Sequence, residues 1–234
     1  MSFASFARRS ETQEQMDTDC ADFADYRSCL GDLARVNRVT FTARPTLAWL
    51  ARQGLQRGDR IALLDVASGH GDMLRAIWRF CRRRGIEAEL VGIDLNPWAV
   101  EAARLATPQD EAIEFRHGDV FAYRPERPVD FIVSAQFAHH LADEEIVAFI
   151  RWMERTARRG WLISDLKRSR LAYWGFGLLA TAMLWHRFVR GDGMISITRG
   201  FYPRELLTLA GAAGVSAATL RRHIPFRLTL ERSR

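Results

Sequence analysis

The stretch that most limits what this chain can fold into is Arg60-Ile-Ala-Leu-Leu-Asp65-Val-Ala67-Ser68-Gly69-His70-Gly71-Asp72-Met-Leu74. It opens with a short apolar run, which reads as a buried parallel strand. Ala67 to Gly71 reads as a tight turn of small residues. From Asp72 onward, Met73, Ile77 and Phe80 fall at helical spacing. Strand, turn and helix start make a cradle, because the first N–H groups of a helix have no partner inside it. Glycines in the turn let a ligand come close to the backbone. A dinucleotide site needs Gly-x-Gly-x-x-Gly, and reading from Gly69 its third glycine falls on Leu74, so that reading fails. An acid at the strand end, Asp65, suits a ligand carrying positive charge.

Three further strand ends follow at regular distance. Glu89-Leu-Val-Gly-Ile-Asp94 is a short strand ending in an acid, followed by Leu95, Asn96 and a helix over Trp98 to Leu105, with Pro97 at its first position. Glu114-Phe-Arg-His-Gly118-Asp119-Val120 is the third. Val129-Asp-Phe-Ile-Val-Ser134 is the fourth, running into Ala135-Gln136-Phe137-Ala138-His139-His140-Leu141. The segment Asp65 to Gly71 resembles motif I of class I S-adenosylmethionine-dependent methyltransferases, Asp-x-Gly-x-Gly-x-Gly, with Ala67 in place of the first glycine. The other three strand ends fit that family's order over residues 60 to 165.

The resemblance implies S-adenosylmethionine as cofactor. It implies contacts from Asp65, Ala67, Ser68, Gly69 and Gly71 in the first loop and from Asp94, Leu95 and Asn96 after the second strand. Gly118, Asp119 and Val120 follow after the third strand, and Ser134 and Gln136 at the fourth. Asp94 is expected on the ribose hydroxyls and Asp119 on the adenine amino group. It also implies a doubly wound, mostly parallel seven-stranded α/β sheet that closes on an antiparallel strand pair. The alternation of strands and helices independently requires a parallel sheet.

Along the chain, residues 1–15 read as a frayed tail, and Asp22 to Arg38 and Thr42 to Leu55 as helices, within an N-terminal extension over 1–58. Leu33 to Arg38 reads either as a lining of the site or as a solvated helix end. The cofactor core spans 59–166, in one domain with no repeat. An apolar insert over 167–200 follows the fifth strand, Gly160 to Asp165. Its uncharged run, Leu171 to Trp185, is 15 residues long, too short to span a bilayer. Gly191-Asp192-Gly193 reads as a turn. Pro203 to Ala213 reads as the last helix, and Ala217 to His223 with Phe226 to Arg232 as the final strand pair within 201–234.

Composition excludes little. The 234 residues carry 34 Lys and Arg against 28 Asp and Glu, a net charge of +6. The arginines cluster at Arg82 to Arg84, Arg158-Arg159 and Arg221-Arg222, which reads as solvated element ends. The three cysteines have neither metal-ligand spacing nor an evident pairing, so no metal site is expected and the compartment reads as reducing and cytoplasmic. A signal-peptide core is not evident in Met1 to Arg9.

Methyl transfer needs an oriented acceptor and, for many acceptors, a base. His139 and His140 follow the fourth strand, where the family places residues nearest the reacting centre. His140 reads equally as base or as structural, and His139 less as base. Phe137, Tyr173, Trp174, Phe176 and Arg199 are expected to contact the acceptor. Ser134-Ala-Gln-Phe137 is not the Asn/Asp-Pro-Pro-aromatic signature of amino methylation, and no Cys stands there for cytosine chemistry, so nucleic acid is disfavoured as partner. The chain is similar to methyltransferases of quinone, polyketide and phenolic-lipid biosynthesis, which implies a small hydrophobic acceptor. The alternatives are a cofactor-binding regulatory protein and an RNA methyltransferase. The insert reads as a mobile acceptor lid, as ordinary core, or as a peripheral membrane contact flanked by Lys167, Arg168, Arg170, Arg187 and Arg190.

Overall fold

A computed structural model describes residues 6–16 and 20–234. The apolar runs form one seven-stranded sheet: β1 (Arg60–Val66), β2 (Glu87–Asp94), β3 (Ile113–His117), β4 (Val129–Ala135), β5 (Ala157–Leu166), β6 (Thr219–His223) and β7 (Arg227–Ser233). The order is β3-β2-β1-β4-β5-β7-β6. β1 to β5 pair in parallel, while β7 runs antiparallel to both β5 and β6. Strand order reverses between β1 and β4, which opens a crevice at their carboxyl ends.

The helices are α1 (Phe23–Val39), α2 (Ala43–Ala51), α3 (Asp72–Arg84), α4 (Pro97–Ala106), α5 (Asp143–Thr156), α6 (Arg170–Ala182), α7 (Arg187–Arg199) and α8 (Pro203–Ala212). Neighbouring residues of each strand serve opposite faces. Leu64, Ile132 and Trp161 pack with α5 and α8, and Leu63, Phe131 and Leu162 with α2 and α3. Asp22 caps α1 by accepting the Asp25 N–H at 2.9 Å, and Asn96 caps α4 by accepting that of Trp98 at 2.9 Å. α1 then bridges two bodies. Tyr26 and Leu30 pack on Ala99 and Ala102 of α4, and Cys29 and Val36 on Ala180, Trp185, Phe188 and Val189 of the insert.

Three expectations are corrected. The segment expected to be helical over Thr42 to Leu55 is helical only over Ala43–Ala51. The insert is a helix pair, and Gly191-Asp192-Gly193 lies inside α7 rather than in a turn. A Cβ on Gly193 would sit 2.2 Å from the Phe176 ring, so the glycine makes room for α6. Buried Asp192 accepts the backbone N–H groups of Gln15 and Met16, each at 2.8 Å. The third correction is the tail. Residues 1–5 lie outside the described residues, but 6–16 run along α7, with the Ser10 N–H donating to the Thr198 carbonyl at 3.2 Å. Among the described residues no helix is long and apolar enough to cross a membrane.

Candidate active site

The first wall of the crevice is the β1–α3 turn. Gly71 has φ 75°, and a Cβ there would lie 2.6 Å from Phe115, so only glycine fits. Ala67 holds φ 56°, a left-handed conformation that glycine adopts without strain. Asp65 is 2% exposed, and burial pushes its carboxyl well above the usual range, helped by Asp72 and Asp94 nearby. Asp94 Oδ2 accepts the Gly69 N–H at 2.8 Å and Oδ1 that of Asn96 at 3.0 Å. Burial raises its pKa, and those two N–H groups oppose the shift. Among the described residues the buried Ser68 hydroxyl has no hydrogen-bond partner. Three crowded carboxyls and an unpartnered hydroxyl fit a polar, cationic ligand seated on the turn.

The second wall is a single 3₁₀ turn, Ala138–His140, at the end of β4. Two arginines clamp it by its carbonyls. Arg199 donates to those of His139 at 3.0 Å and His140 at 2.9 Å, and Arg9 to those of His139 at 3.2 Å and Leu141 at 2.8 Å. His139 is 2% exposed, and its Nδ1 donates to Asp165 Oδ1 at 2.7 Å. Its Nε2 lies 3.5 Å from Glu14 Oε1, and His140 Nε2 lies 3.7 Å from the same oxygen. Ser196 donates to that oxygen at 2.5 Å.

The charges follow from this layout. Burial alone would lower His139, but Asp165 and Glu14 outweigh it and raise the pKa to about 9. Burial, then the adjacent His139 cation, push His140 down to about 4. Glu14, opposed by its burial, is held at about 2 by the two histidines. The three donor atoms of Glu14, His139 and His140 lie within 4.8 Å of one another, a spacing that would also suit a cation. A ligating histidine must be neutral, and two carboxylates favour the protonated form of His139.

A cavity of about 90 Å³ lies against the insert, bordered by α1, Gln136 after β4 and Arg227 of β7. Cys29, Leu33, Val36, Phe176, Val189 and Ile197 give it an apolar wall. Glu14, Asn37, Gln136 and Arg227 give it a polar one. Gln136, at φ 57°, donates to Asn37 at 2.7 Å and accepts from Arg227 at 3.2 Å. Arg227 is 3% exposed and also donates to the hydroxyls of Thr40 and Thr42, but its Nε has no hydrogen-bond partner among the described residues. Among the described residues it makes no ion pair, and burial lowers its pKa to about 10.

A family profile described as a methyltransferase domain matches residues 63–160, from β1 to β5. Residues 63–160 are a methyltransferase domain, and the sheet around them has the Rossmann-like methyltransferase fold. No curated protein sequence matches this methyltransferase as a relative. Solved structures share its fold at low identity. Human N-acetylserotonin methyltransferase in complex with SAM aligns at TM-score 0.63 and 14% identity, over 91% of this chain and 56% of that one. The chain thus spans little more than half of the human protein's length. Magnesium protoporphyrin IX methyltransferase from Synechocystis PCC 6803 with bound SAH aligns at 0.56 and 18%, over 92% and 88%. A SAM dependent methyltransferase from Aquifex aeolicus aligns at 0.60 and 17%, over 88% and 96%.

The motif residues of this methyltransferase converge as the sequence arranges them. Asp65, Ala67, Ser68, Gly69, Gly71, Asp94, Leu95, Asn96, Gly118, Asp119, Val120, Ser134 and Gln136 all lie at the carboxyl ends of β1 to β4. Some are already engaged: Asp119 Oδ1 accepts the Phe121 N–H at 2.9 Å, and the Ser134 hydroxyl donates to the Val66 carbonyl at 3.2 Å. The acceptor set divides. Phe176 lines the cavity, whereas Phe137 stacks edge-on against Phe149 of the core at 5.4 Å. Tyr173 packs on Phe6 at 5.7 Å, and Trp174 is 65% exposed. Arg199 stands behind the histidines, with its third bond to the Thr12 carbonyl at 2.7 Å. Glu14, Asp165 and Arg227 were not singled out from the sequence. Asp165 ends a strand as Asp65 and Asp94 do, and that was a readable signal. Arg227 was readable only as a cation opening an apolar strand, and Glu14 carried no signal.

Proposed function

We propose that this methyltransferase acts on a small, largely apolar aromatic acceptor with an acidic group: a phenol, a quinone-type ring or an enolisable polyketide carbon. The cavity carries this reading, because its apolar wall faces a polar one that joins the histidine pair. Asp65, Asp94, Asp119 and the β1–α3 turn would hold S-adenosylmethionine, which supplies an activated methyl group. His140 is unprotonated at neutral pH, so it can take the acceptor's proton as methyl transfer proceeds. A base with a pKa near 4 holds that proton weakly, which favours an acceptor that is itself acidic. Arg227, a buried cation without an ion pair among the described residues, would steady the resulting anion. The His139 cation, held between Asp165 and Glu14, fixes the carboxylate beside His140. Serving quinone or polyketide biosynthesis is the corresponding physiological reading.

The weak basicity of His140 also favours a second reading, a cofactor-binding protein without turnover. Mass-shift screening of phenols, quinones and polyketide analogues with S-adenosylmethionine separates the two. A methylated product confirms the first reading. Tight cofactor binding by calorimetry, with no product from any acceptor, would leave the second. RNA offered in the same screen should stay unmodified. Activity unchanged by a chelator is expected, since no step above uses a metal.

A further inference from the structure

Helix α6 is apolar on two sides. Its inner side carries Phe176, Leu179 and Ala180, which pack with α1 and α7. Its outer side carries Leu171, Trp174 and Leu178, exposed by 71%, 65% and 75%. Their spacing of three and four residues places them on one stripe. Met183 and Leu184 extend it into the α6–α7 turn, exposed by 49% and 85%. Leu184 holds φ 52°, a conformation that a bulky residue adopts under strain. Strain and exposure together in one apolar side chain are not what a water-facing turn requires. No described residue covers this stripe.

Charge names the occupant. Between Asp165 and Asp192 every charged residue is basic: Lys167, Arg168, Arg170, Arg187 and Arg190. Arg168 is buried against Glu205, but Arg170, Arg187 and Arg190 are exposed at the two ends of the hairpin. An apolar stripe with basic residues at its ends matches a helix lying flat in a bilayer surface, its apolar side among the upper acyl chains and its cations at anionic head groups. At 13 residues α6 is too short to cross a bilayer, which needs about 20, so it can only lie in the plane. We propose that the outer face of α6 and the α6–α7 turn seat this protein on an anionic lipid surface. Phe176, on the other side of the same helix, lines the cavity, so this seating brings the cavity wall to within one helix of the lipid.

Vesicle flotation with the full chain tests this without reference to any acceptor. The wild type should rise with phosphatidylcholine vesicles containing phosphatidylglycerol. It should bind vesicles of phosphatidylcholine alone about 10²-fold less, because three exposed arginines lose their head-group partners. Leu171→Ser/Trp174→Ser/Leu178→Ser should stay at the bottom while its melting temperature and cofactor affinity match the wild type. Leu184→Gly should float less and melt no lower, because the glycine relieves the left-handed φ. That combination distinguishes a lipid contact from a packing role. A wild type that does not float, or a triple variant that floats as well, overturns the proposal. So does a wild-type dimer in buffer that the triple variant turns into monomer, because the face then belongs to a second copy. An absence of methylated product leaves the flotation result untouched.

Discussion

Asp94 uses both carboxylate oxygens on its own backbone, and on the function proposed above the same oxygens would serve the cofactor's ribose. Asp94→Ala should therefore weaken S-adenosylmethionine binding by about 2 kcal/mol, read by calorimetry, with Asp119→Ala losing less. Equal affinities would remove Asp94 from the site. His140→Ala should lower turnover by about 10²-fold and spare cofactor affinity. The deficit should narrow as assay pH rises and the acceptor ionises unaided. A variant with full activity at every pH would leave His140 structural. Ala67→Gly should raise stability by about 0.5 kcal/mol in denaturant unfolding, since a left-handed L-residue costs roughly 1–2 kcal/mol and glycine's extra unfolded-state freedom offsets part of that gain. An unchanged or lower midpoint would mean the turn relaxes around alanine without strain.

At the scale of elements, the sheet was legible because each strand is a short apolar run ended by an acid or a turn, and period and length both point one way. The helix pair after β5 was half legible. Its first helix showed as an uncharged run, but Gly191 and Gly193 hid the second, because local propensity cannot see a ring packing from another helix. Gly193→Ala should push the Phe176 ring out of place and destabilise by about 1–3 kcal/mol, measured by thermal unfolding. Trp174 shows the same gap. Aromatic character was readable from the sequence, but which side of α6 it occupies depends on α1, which buries the opposite side. Of the candidate site, the strand-end acids and the histidines stood in the sequence. Glu14 and Arg227 did not, since each gains its meaning only from a neighbour more than ninety residues away.

For the whole molecule, the two histidines set opposite limits on stability. His139 is raised from 6.5 to about 9, so its contribution is complete below pH 6.5 and is lost as pH climbs toward 9. His140 is lowered from 6.5 to about 4, so the fold is disfavoured as pH falls through that interval. Stability should peak near neutrality, and the alkaline limb should fall by up to about 1.4 kcal/mol per pH unit for one proton. His139→Gln should flatten that limb; an unchanged slope would mean that His139 is neutral in the folded state. The segment that supplies Glu14 and Arg9 carries one more consequence, for the order of synthesis. It leaves the ribosome early, yet its partners Asp192, Ser196 and Arg199 belong to α7, which is made about 180 residues later. On the function proposed above, a nascent chain that has finished β4 already holds the residues offered to the cofactor, but Glu14 gains its α7 partners only once α7 has emerged. Translation paused before Arg187 would therefore leave a cofactor binder that cannot yet turn over.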